Sequence, residues 1–230
     1  MDFLKSYIPN VHKEGIYFIV IALILAALSS LISSSLTIIL VLACIFMVFF
    51  FRDPVRITPV GENLIVSPAD GVITKIEEAE LPKTLGFEAG RKVTRISIFL
   101  SVFDVHVNRV PADGKIQNMY YHKGQFLNAA LDKASEVNER QEISMTMKDG
   151  SEIAFTQIAG FIARRIICHA QEAQEVRAGE RYGIIRFGSR MDVYLPKNVS
   201  PAVFVGQRVI GGETILANTK LPKGMLGEIR

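Results

Sequence analysis

The sequence contains little cysteine and little histidine, and this scarcity excludes several classes of protein. Its 230 residues include two cysteines, Cys44 and Cys168, too few for a disulfide framework or a cysteine-based metal site. The four histidines lack the spacing of metal ligands, so we predict no metal. A net charge of +3, with no basic run interleaved with aromatic residues, argues against a nucleic-acid partner.

Charged residues are also missing from the segment 16–51. This segment accounts for the mean hydropathy of +0.28, because the remainder has the composition of a globular domain that can bury its own core. A serine-rich stretch at 29–35 divides the segment into 16–28 and 36–51, which predicts a helical hairpin. Each half is short: a run of about 16 residues is about 24 Å long as a helix against about 30 Å of hydrocarbon, so two thin spans and a re-entrant hairpin both fit.

We interpret residues 1–52 as a retained membrane anchor. A signal peptide is the competing interpretation, but the apolar run ends in three phenylalanines and not in small cleavage-site residues. Basic residues flank the run on both sides, which predicts that both of its ends are cytoplasmic. These residues are Lys5, Lys13, Arg52 and Arg56. We therefore expect a protein of the cell membrane with its second domain on the cytoplasmic side, whereas a single span would place that domain outside.

The second domain, 53–230, shows short alternating apolar and polar runs separated by Gly, Pro and Asp, which predicts a mainly β fold of the α+β class. One helix is predicted at 126–137 from its helical spacing. Two turn phrases, 176–184 and 205–216, resemble the hammerhead turns of lipoyl and biotinyl carrier domains. The predicted strands are 63–66, 72–77, 93–100, 143–147, 152–158, 165–169, 182–187, 191–195, 202–205 and 213–217.

A glycine-serine pair, Gly188 and Ser189, lies between two of these strands and is the candidate reactive element. Glycine carries no Cβ, so the Gly188 carbonyl is unshielded and the backbone accepts strained geometry. The Ser189 hydroxyl can then attack that carbonyl and convert the amide to an ester. β-Elimination and hydrolysis would leave a pyruvoyl group at the new N-terminus. Taken alone, such a pair is usually only a turn.

Other motifs, in a fixed order, give this pair a context. They are Ser67-Pro68-Ala69-Asp70-Gly71, the run from Phe99 to Pro111, Asn138-Glu139-Arg140, Ala163-Arg164-Arg165-Ile166 and Phe187-Gly188-Ser189. With these motifs, the chain from about residue 51 onward resembles the short form of the phosphatidylserine decarboxylase proenzymes. The resemblance implies a self-processing decarboxylase that converts phosphatidylserine to phosphatidylethanolamine and CO₂ through a Schiff base on a pyruvoyl group made from Ser189.

The resemblance also implies the organisation of the mature protein. Cleavage between Gly188 and Ser189 would give a long chain, 1–188, and a short chain, 189–230, which remain associated. The core would be related to the barrel-sandwich, lipoyl-like architecture. The expected partners are a phospholipid substrate and the membrane, and we expect a homo-oligomer.

Two further residues are assigned a catalytic role by the resemblance. His106 matches the family's motif histidine, which we interpret as donating a proton to the carbanion after CO₂ leaves or as binding the substrate carboxylate. Alternation predicts that Asp104, His106 and Asn108 share one strand face. Asp70 matches an acidic position of the family and either orients His106, assists the elimination or forms a turn with the next residue.

Three arginines are candidates for substrate binding. Longer members of the family carry a second histidine where this chain has Arg109, which cannot act as the base for cleavage but is suited to holding an oxyanion or a lipid phosphate. Arg164 and Arg165, with the Asn-Glu-Arg motif, either bind the head group or form structural ion pairs. The base for self-cleavage is left open.

Two alternative functions fit parts of the sequence. A pyruvoyl decarboxylase of a soluble amino acid shares the chemistry but gives no reason for the apolar segment. A non-enzymatic membrane adaptor with a lipoyl-like domain explains the turn phrases but gives no reason for the chain to break at Ser189.

Overall fold

The chain divides into a helical unit, Met1–Val55, and a larger β unit, Arg56–Arg230. The structure is a computed structural model that describes residues 10–88, 90–124, 137–160, 165–186 and 189–220. The roles assigned to 1–52 and 53–230, and the division at 188, stay predictions.

The helical unit consists of α1, Lys13–Ser29, and α2, Ser34–Phe50. Both helices begin at a side-chain cap: His12 accepts a hydrogen bond from the backbone N–H of Glu14, and Ser33 accepts one from Leu36. The serines between the helices form the turn that the sequence predicts, because their hydroxyls satisfy backbone groups at helix ends. Two short strands, β1 Asn10–Val11 and β2 Arg52–Asp53, pair antiparallel at the base of this unit.

The two predicted helices are thus confirmed, and each contains 17 residues. Within the described part of the chain, no helix combines the length and the apolar character needed to cross a membrane.

The β unit contains thirteen strands among its described residues, and every pairing between them is antiparallel. They are β3 Leu64–Val66, β4 Gly71–Glu80, β5 Lys92–Leu100, β6 Val107–Arg109, β7 Gly114–His122, β8 Arg140–Met147, β9 Glu152–Ala159, β10 Ile166–Cys168, β11 Glu175–Val176, β12 Arg181–Ile185, β13 Ser189–Tyr194, β14 Arg208–Val209 and β15 Ile215–Asn218. A mainly β protein with two helices is therefore confirmed as the fold class.

These strands form one large sheet and two small ones. The large sheet has the order β11-β7-β8-β9-β13-β5-β4-β14, the second has the order β10-β12-β6, and β15 pairs with β3. Strand β13 lies inside the large sheet, between β9 and β5. It therefore has hydrogen-bonding neighbours on both edges.

The two faces of β13 differ sharply. Met191 and Val193 point into the main hydrophobic core, together with Ile98 of β5 and Phe155 of β9. Alternation places Arg190 and Asp192 on the opposite face, and both are also buried. Because Ser189 is two residues before Met191, its side chain points to the core face.

Several sequence predictions differ from the structure. Strand β7 was not predicted, because a bulge between Ile116 and Met119 breaks its alternation. The strand predicted at 202–205 is wrong: this segment forms a turn in which Gln207 N–H donates to the Phe204 carbonyl. The predicted helix at 126–137 lies outside the described residues except for Val137.

Candidate active site

Ser189 is the first residue of β13 and is fully buried. It pairs with Leu100 on β5 and with Ala159 on β9. Its Oγ atom is buried and has no hydrogen-bond partner among the described residues. A buried hydroxyl is normally paired, so an unpaired one in a fixed position is a candidate reactive group. Phe187 and Gly188 lie outside the described residues.

His106 is fully buried near the segment that precedes Ser189. Its Nδ1 lies 3.0 Å from the backbone carbonyl oxygen of Asp104. A carbonyl oxygen only accepts hydrogen bonds, so Nδ1 carries a proton, and any exchange of a proton with a reacting group falls to Nε2. The His106 carbonyl accepts a hydrogen bond from the N–H of Ile185, 3.3 Å away, at the end of β12.

The turn from Leu100 to His106 therefore contacts the chain on both sides of residues 186–188. Leu100 is the cross-strand partner of Ser189, and His106 bonds Ile185. The two ends of one turn therefore contact Ser189 on β13 and Ile185 at the end of β12.

Asp104 holds this turn in place. Its Oδ2 accepts hydrogen bonds from the N–H and the hydroxyl of Ser101, both 2.8 Å away. Its Oδ1 accepts a hydrogen bond from Nη2 of Arg208 at 2.7 Å. The prediction that Asp104, His106 and Asn108 share one strand face is therefore wrong for Asp104 and His106, because β6 begins only at Val107.

Asp70 lies in a loop adjacent to β6, where the N–H of Arg109 donates to the carbonyl of Pro68 at 2.8 Å. The Asp70 carboxylate accepts a hydrogen bond from Arg56 at 2.7 Å and one from the N–H of Gly211 at 2.8 Å. Burial raises the pKa of Asp70, and these two donors only partly oppose it.

The candidate substrate-binding arginines differ in exposure. Arg109 is buried, and its Nη1 donates to the backbone carbonyl of Gly179 at 2.8 Å. Arg165 is exposed, and its carbonyl accepts a hydrogen bond from the N–H of Arg186. Arg164 lies outside the described residues. The structure thus gives Arg109 a structural hydrogen bond, and substrate binding by the three arginines stays a prediction.

The Asn-Glu-Arg motif supports the strand next to Ser189. Asn138 Nδ2 donates to the Ala159 carbonyl at 2.7 Å, and the Glu139 carbonyl accepts from the Ala159 N–H at 2.9 Å. The Glu139 side chain also accepts a hydrogen bond from the N–H of Ile166 at 3.0 Å. Two residues of this motif therefore fix Ala159, the cross-strand partner of Ser189. The sequence pattern predicted only a head-group contact or ion pairs at this motif.

No group of three or more His, Cys, Asp or Glu side chains suited to a metal ion occurs among residues 10–88, 90–124, 137–160, 165–186 and 189–220. The prediction of a metal-free site stays a prediction.

Comparison with known proteins gives a family for this arrangement. The model of the family described as phosphatidylserine decarboxylase matches residues 44–217. The chain belongs to the phosphatidylserine decarboxylase family.

Individual relatives agree with this assignment. Proteins named phosphatidylserine decarboxylase proenzyme from Rickettsia bellii and from Cereibacter sphaeroides are each 50% identical, over 208 and 218 residues. The alignments cover 90% of both chains for the first and 95% of this chain and 94% of the relative for the second. A proenzyme of the same name from Ehrlichia chaffeensis is 49% identical over 215 residues, or 93% of both chains. The predicted family and enzyme class, a decarboxylase made as a proenzyme, are confirmed.

In this decarboxylase the electrostatic environment of Asp70 predicts an unusual pH dependence of stability. A carboxyl group whose pKa is higher in the folded state than in the unfolded state stabilises the fold at low pH. This contribution is lost as the pH rises through the pKa of the folded state. We therefore expect the free energy of unfolding of the parent chain, relative to Asp70→Asn, to increase as pH falls from neutral into the acid range. Urea unfolding followed by circular dichroism measures it, in a Ser189→Ala background that keeps the chain in one piece.

Asp149 provides the matched control. Burial raises its pKa, but hydrogen bonds from Thr219 and Ser151 outweigh burial, so the pKa of Asp149 is lowered. The free energy of unfolding relative to Asp149→Asn should therefore decrease as pH falls, the opposite sign. A change of the same sign at both positions would contradict the assigned environment of Asp70.

Proposed function

We propose that this chain is a self-processing, pyruvoyl-dependent decarboxylase that converts phosphatidylserine to phosphatidylethanolamine and CO₂. The observation that carries the proposal is the buried, unpaired hydroxyl of Ser189 at the start of a central strand, in a chain of this family. The predicted cleavage between Gly188 and Ser189 would use this hydroxyl as the nucleophile.

The cleavage would proceed in three steps. The Ser189 oxygen adds to the preceding carbonyl carbon and gives its proton to a base, and the amide C–N bond breaks as the nitrogen is protonated. The resulting ester loses the Cα proton of residue 189, and the bond between Cβ and Oγ of residue 189 breaks to release the carboxylate of residue 188. Water then replaces the nitrogen of residue 189, which leaves as ammonia, and a pyruvoyl group remains.

The residues around Ser189 fit such a group. The side chain is buried next to Leu100 and Ala159, so the site is shielded from bulk solvent. A pyruvoyl carbonyl captures the substrate amine and accepts the electron pair released with CO₂. The described residues would contribute position and a proton: Asn138 and Glu139 fix the neighbouring strand, and the backbone carbonyl of Asp104 orients the His106 ring through Nδ1.

The two chains would stay associated through the sheets. Strand β13 of the short chain pairs along its whole length with β5 and β9 of the long chain. Strands β14 and β15 of the short chain pair with β4 and β3. These pairings support a processed protein that does not dissociate.

The finer fold relationship is also proposed. The two turn phrases that resemble hammerhead turns each carry a glycine at positive φ, Gly179 at 80° and Gly212 at 80°. A Cβ on Gly212 would lie 3.5 Å from Cα of Gly179, so the two turns lie side by side. This adjacency supports a barrel-sandwich, lipoyl-like core.

Removal of the Ser189 hydroxyl tests the function directly. We expect the purified parent chain to give two bands whose masses correspond to 1–188 and 189–230, the smaller with a pyruvoyl terminus. Ser189→Ala should remain one intact chain without decarboxylase activity, because it lacks the nucleophile. Denaturing gels and intact mass spectrometry measure both results.

Ser97 supplies a matched control for this experiment. It is also fully buried with an unpaired Oγ, but its side chain lies on the opposite face of the same sheet. Ser97→Ala should therefore cleave normally. An intact, active parent chain would contradict self-processing, and an intact chain that binds membranes without activity would favour the adaptor.

His106 is proposed to donate the proton that replaces CO₂. His106→Gln keeps a side chain that donates to the Asp104 carbonyl but cannot supply a proton. We expect normal cleavage and a decarboxylation rate lowered by about 10²- to 10⁴-fold. Product formation from phosphatidylserine in detergent micelles measures the rate.

His122 provides the control for this substitution. Its ring bonds Glu142 and Arg140 on the neighbouring strand β8, so His122→Gln should keep the parent rate. A His106→Gln protein that is fully cleaved and fully active would refute the role in proton donation. Loss of activity through failed cleavage would assign His106 to processing.

We also propose that the helical unit associates with the cell membrane and that the β unit is cytoplasmic, while homo-oligomer formation stays a prediction. Many apolar side chains of α1 and α2 are exposed, among them Ile39 at 62% and Leu42 at 60%. The guanidinium of Arg52 lies 3.8 Å from the ring centroid of Phe49, a pairing suited to a bilayer interface. The basic residues on both flanks support the cytoplasmic assignment.

Flotation with phospholipid vesicles tests this association. The double variant Ile39→Glu and Leu42→Glu places two charges on the apolar surface of α2, so we expect a much smaller fraction to float with vesicles. The control is Val60→Glu in the β unit, where the side chain is 95% exposed. Equal flotation of both variants would contradict association through the helices.

A further inference from the structure

Asn108 on β6 and Gln157 on β9 form a buried amide pair that the proposed chemistry does not use. Both residues are fully buried, and Gln157 Nε2 donates to Asn108 Oδ1 at 2.8 Å. Asn108 Nδ2 and Gln157 Oε1 are buried and have no hydrogen-bond partner among the described residues. Exchanging nitrogen and oxygen in both amides preserves the mutual bond and again leaves one donor and one acceptor free. In either orientation of the two amides, one side-chain N–H of the pair therefore has no acceptor among the described residues.

The strand register places this pair on the same side of the sheet as Ser189. Gln157 is the cross-strand partner of Met191, and Ala159 is the partner of Ser189. Residues two apart on a strand point to the same face, so Gln157 and Ser189 are diagonal neighbours on the core face. Three buried and unpaired polar atoms therefore belong to one region: Ser189 Oγ, Asn108 Nδ2 and Gln157 Oε1.

A glycine on β12 makes room for the amide pair. Gly183 is the cross-strand partner of Asn108. A Cβ at this position would lie 3.1 Å from Gln157 Nε2 and 2.3 Å from the carbonyl oxygen of Ile167. Strand β12 ends at Ile185, close before the proposed cleavage site, so the pair is held against the strand that leads to that site.

Unpaired amide groups are rare in protein interiors, because a buried donor without a partner loses its hydrogen bond to water. A donor left free on the same core face as a nucleophile is suited to stabilising a developing negative charge on oxygen. Self-cleavage creates such a charge: when Ser189 Oγ bonds to the carbonyl carbon of residue 188, the carbonyl π electrons move to its oxygen.

We propose that the Asn108 side-chain amide donates a hydrogen bond to this oxyanion and that Gln157 holds the amide in position. The proposal rests on the self-processing function above. The Ser189 proton passes to the base, the oxyanion then re-forms the carbonyl, and the amide C–N bond breaks to give the ester. Asn108 neither gains nor loses a proton in these steps, so it acts as a catalytic hydrogen-bond donor.

The test variant is Asn108→Asp, which has nearly the same shape and still accepts the hydrogen bond from Gln157. An ionised carboxylate has no proton to donate and repels an oxyanion, so the variant should cleave about 100-fold or more slowly than the parent chain at neutral pH. A protonated carboxyl regains an O–H donor. The ratio of variant to parent cleavage rates should therefore rise as the pH is lowered, a response that a purely structural role does not produce.

The measurement is the appearance of the short chain on denaturing gels after synthesis of the full chain in a cell-free system. Hydroxylamine is added in parallel, because it cleaves esters. The proposed oxyanion precedes the ester, so hydroxylamine should not restore the cleavage of Asn108→Asp at neutral pH. Restored cleavage would show that the ester forms normally and would overturn the proposal.

The control is Thr156→Val. Thr156 precedes Gln157 on β9 and has a buried, unpaired hydroxyl, but it points to the opposite face. This variant should cleave within about twofold of the parent chain, whereas Gln157→Leu should be slowed in the same direction as Asn108→Asp.

Three outcomes separate the possible failures. If the parent chain does not cleave, the proposed function itself fails. If the parent chain cleaves and Asn108→Asp matches it within about twofold at neutral pH, only the role of the amide pair fails. If Asn108→Asp is slow at every pH by the same factor, its effect is structural and the proposal is overturned.

Discussion

Strand β13 has hydrogen-bonding partners on both edges, and the arrangement of the site depends on this constraint. Because β5 and β9 pair with every residue from Ser189 to Tyr194, the register of the strand cannot slip without moving each side chain to the other face. The reactive serine is the first residue of that strand. Its position is therefore fixed by the sheet.

The polar face of β13 carries a second fixed element. Nε and Nη2 of Arg190 donate to the two carboxylate oxygens of Asp192, each at 2.7 Å, and both residues are almost completely buried. Such a pair contributes little net stability, because the loss of hydration offsets its attraction. Removing one partner alone is costly, at about 3–5 kcal/mol, since it leaves a buried charge unpaired. The pair thus keeps two buried charges satisfied on this face and adds little to the stability of the fold.

The two faces of the large sheet therefore serve different purposes. The core face presents Ser189, with the Asn108–Gln157 amide pair near it, to an interior that excludes water. The motif residues around them act through the backbone: Asp104 shapes the turn that carries His106, and Asn138 and Glu139 fix the strand next to Ser189. This is the rigid support that a strained internal reaction requires, because small displacements of the reacting atoms lower its rate strongly.

The sequence by itself determined the helices, most of the strands and the family, and it identified Ser189 as the candidate reactive serine. Apolar runs broken by serines predict a helical hairpin, and alternating runs between glycines predict strands, because both patterns depend on local spacing. The tertiary structure decided what depends on distant pairing. The bulge in β7 breaks the alternation by which that strand could have been predicted. Asp104 lies outside the strand on which alternation placed it. Nothing in the sequence near Gln157 indicates that its side chain contacts Asn108. Strand register and burial bring together residues that are far apart in the sequence, and no local sequence pattern predicts such contacts.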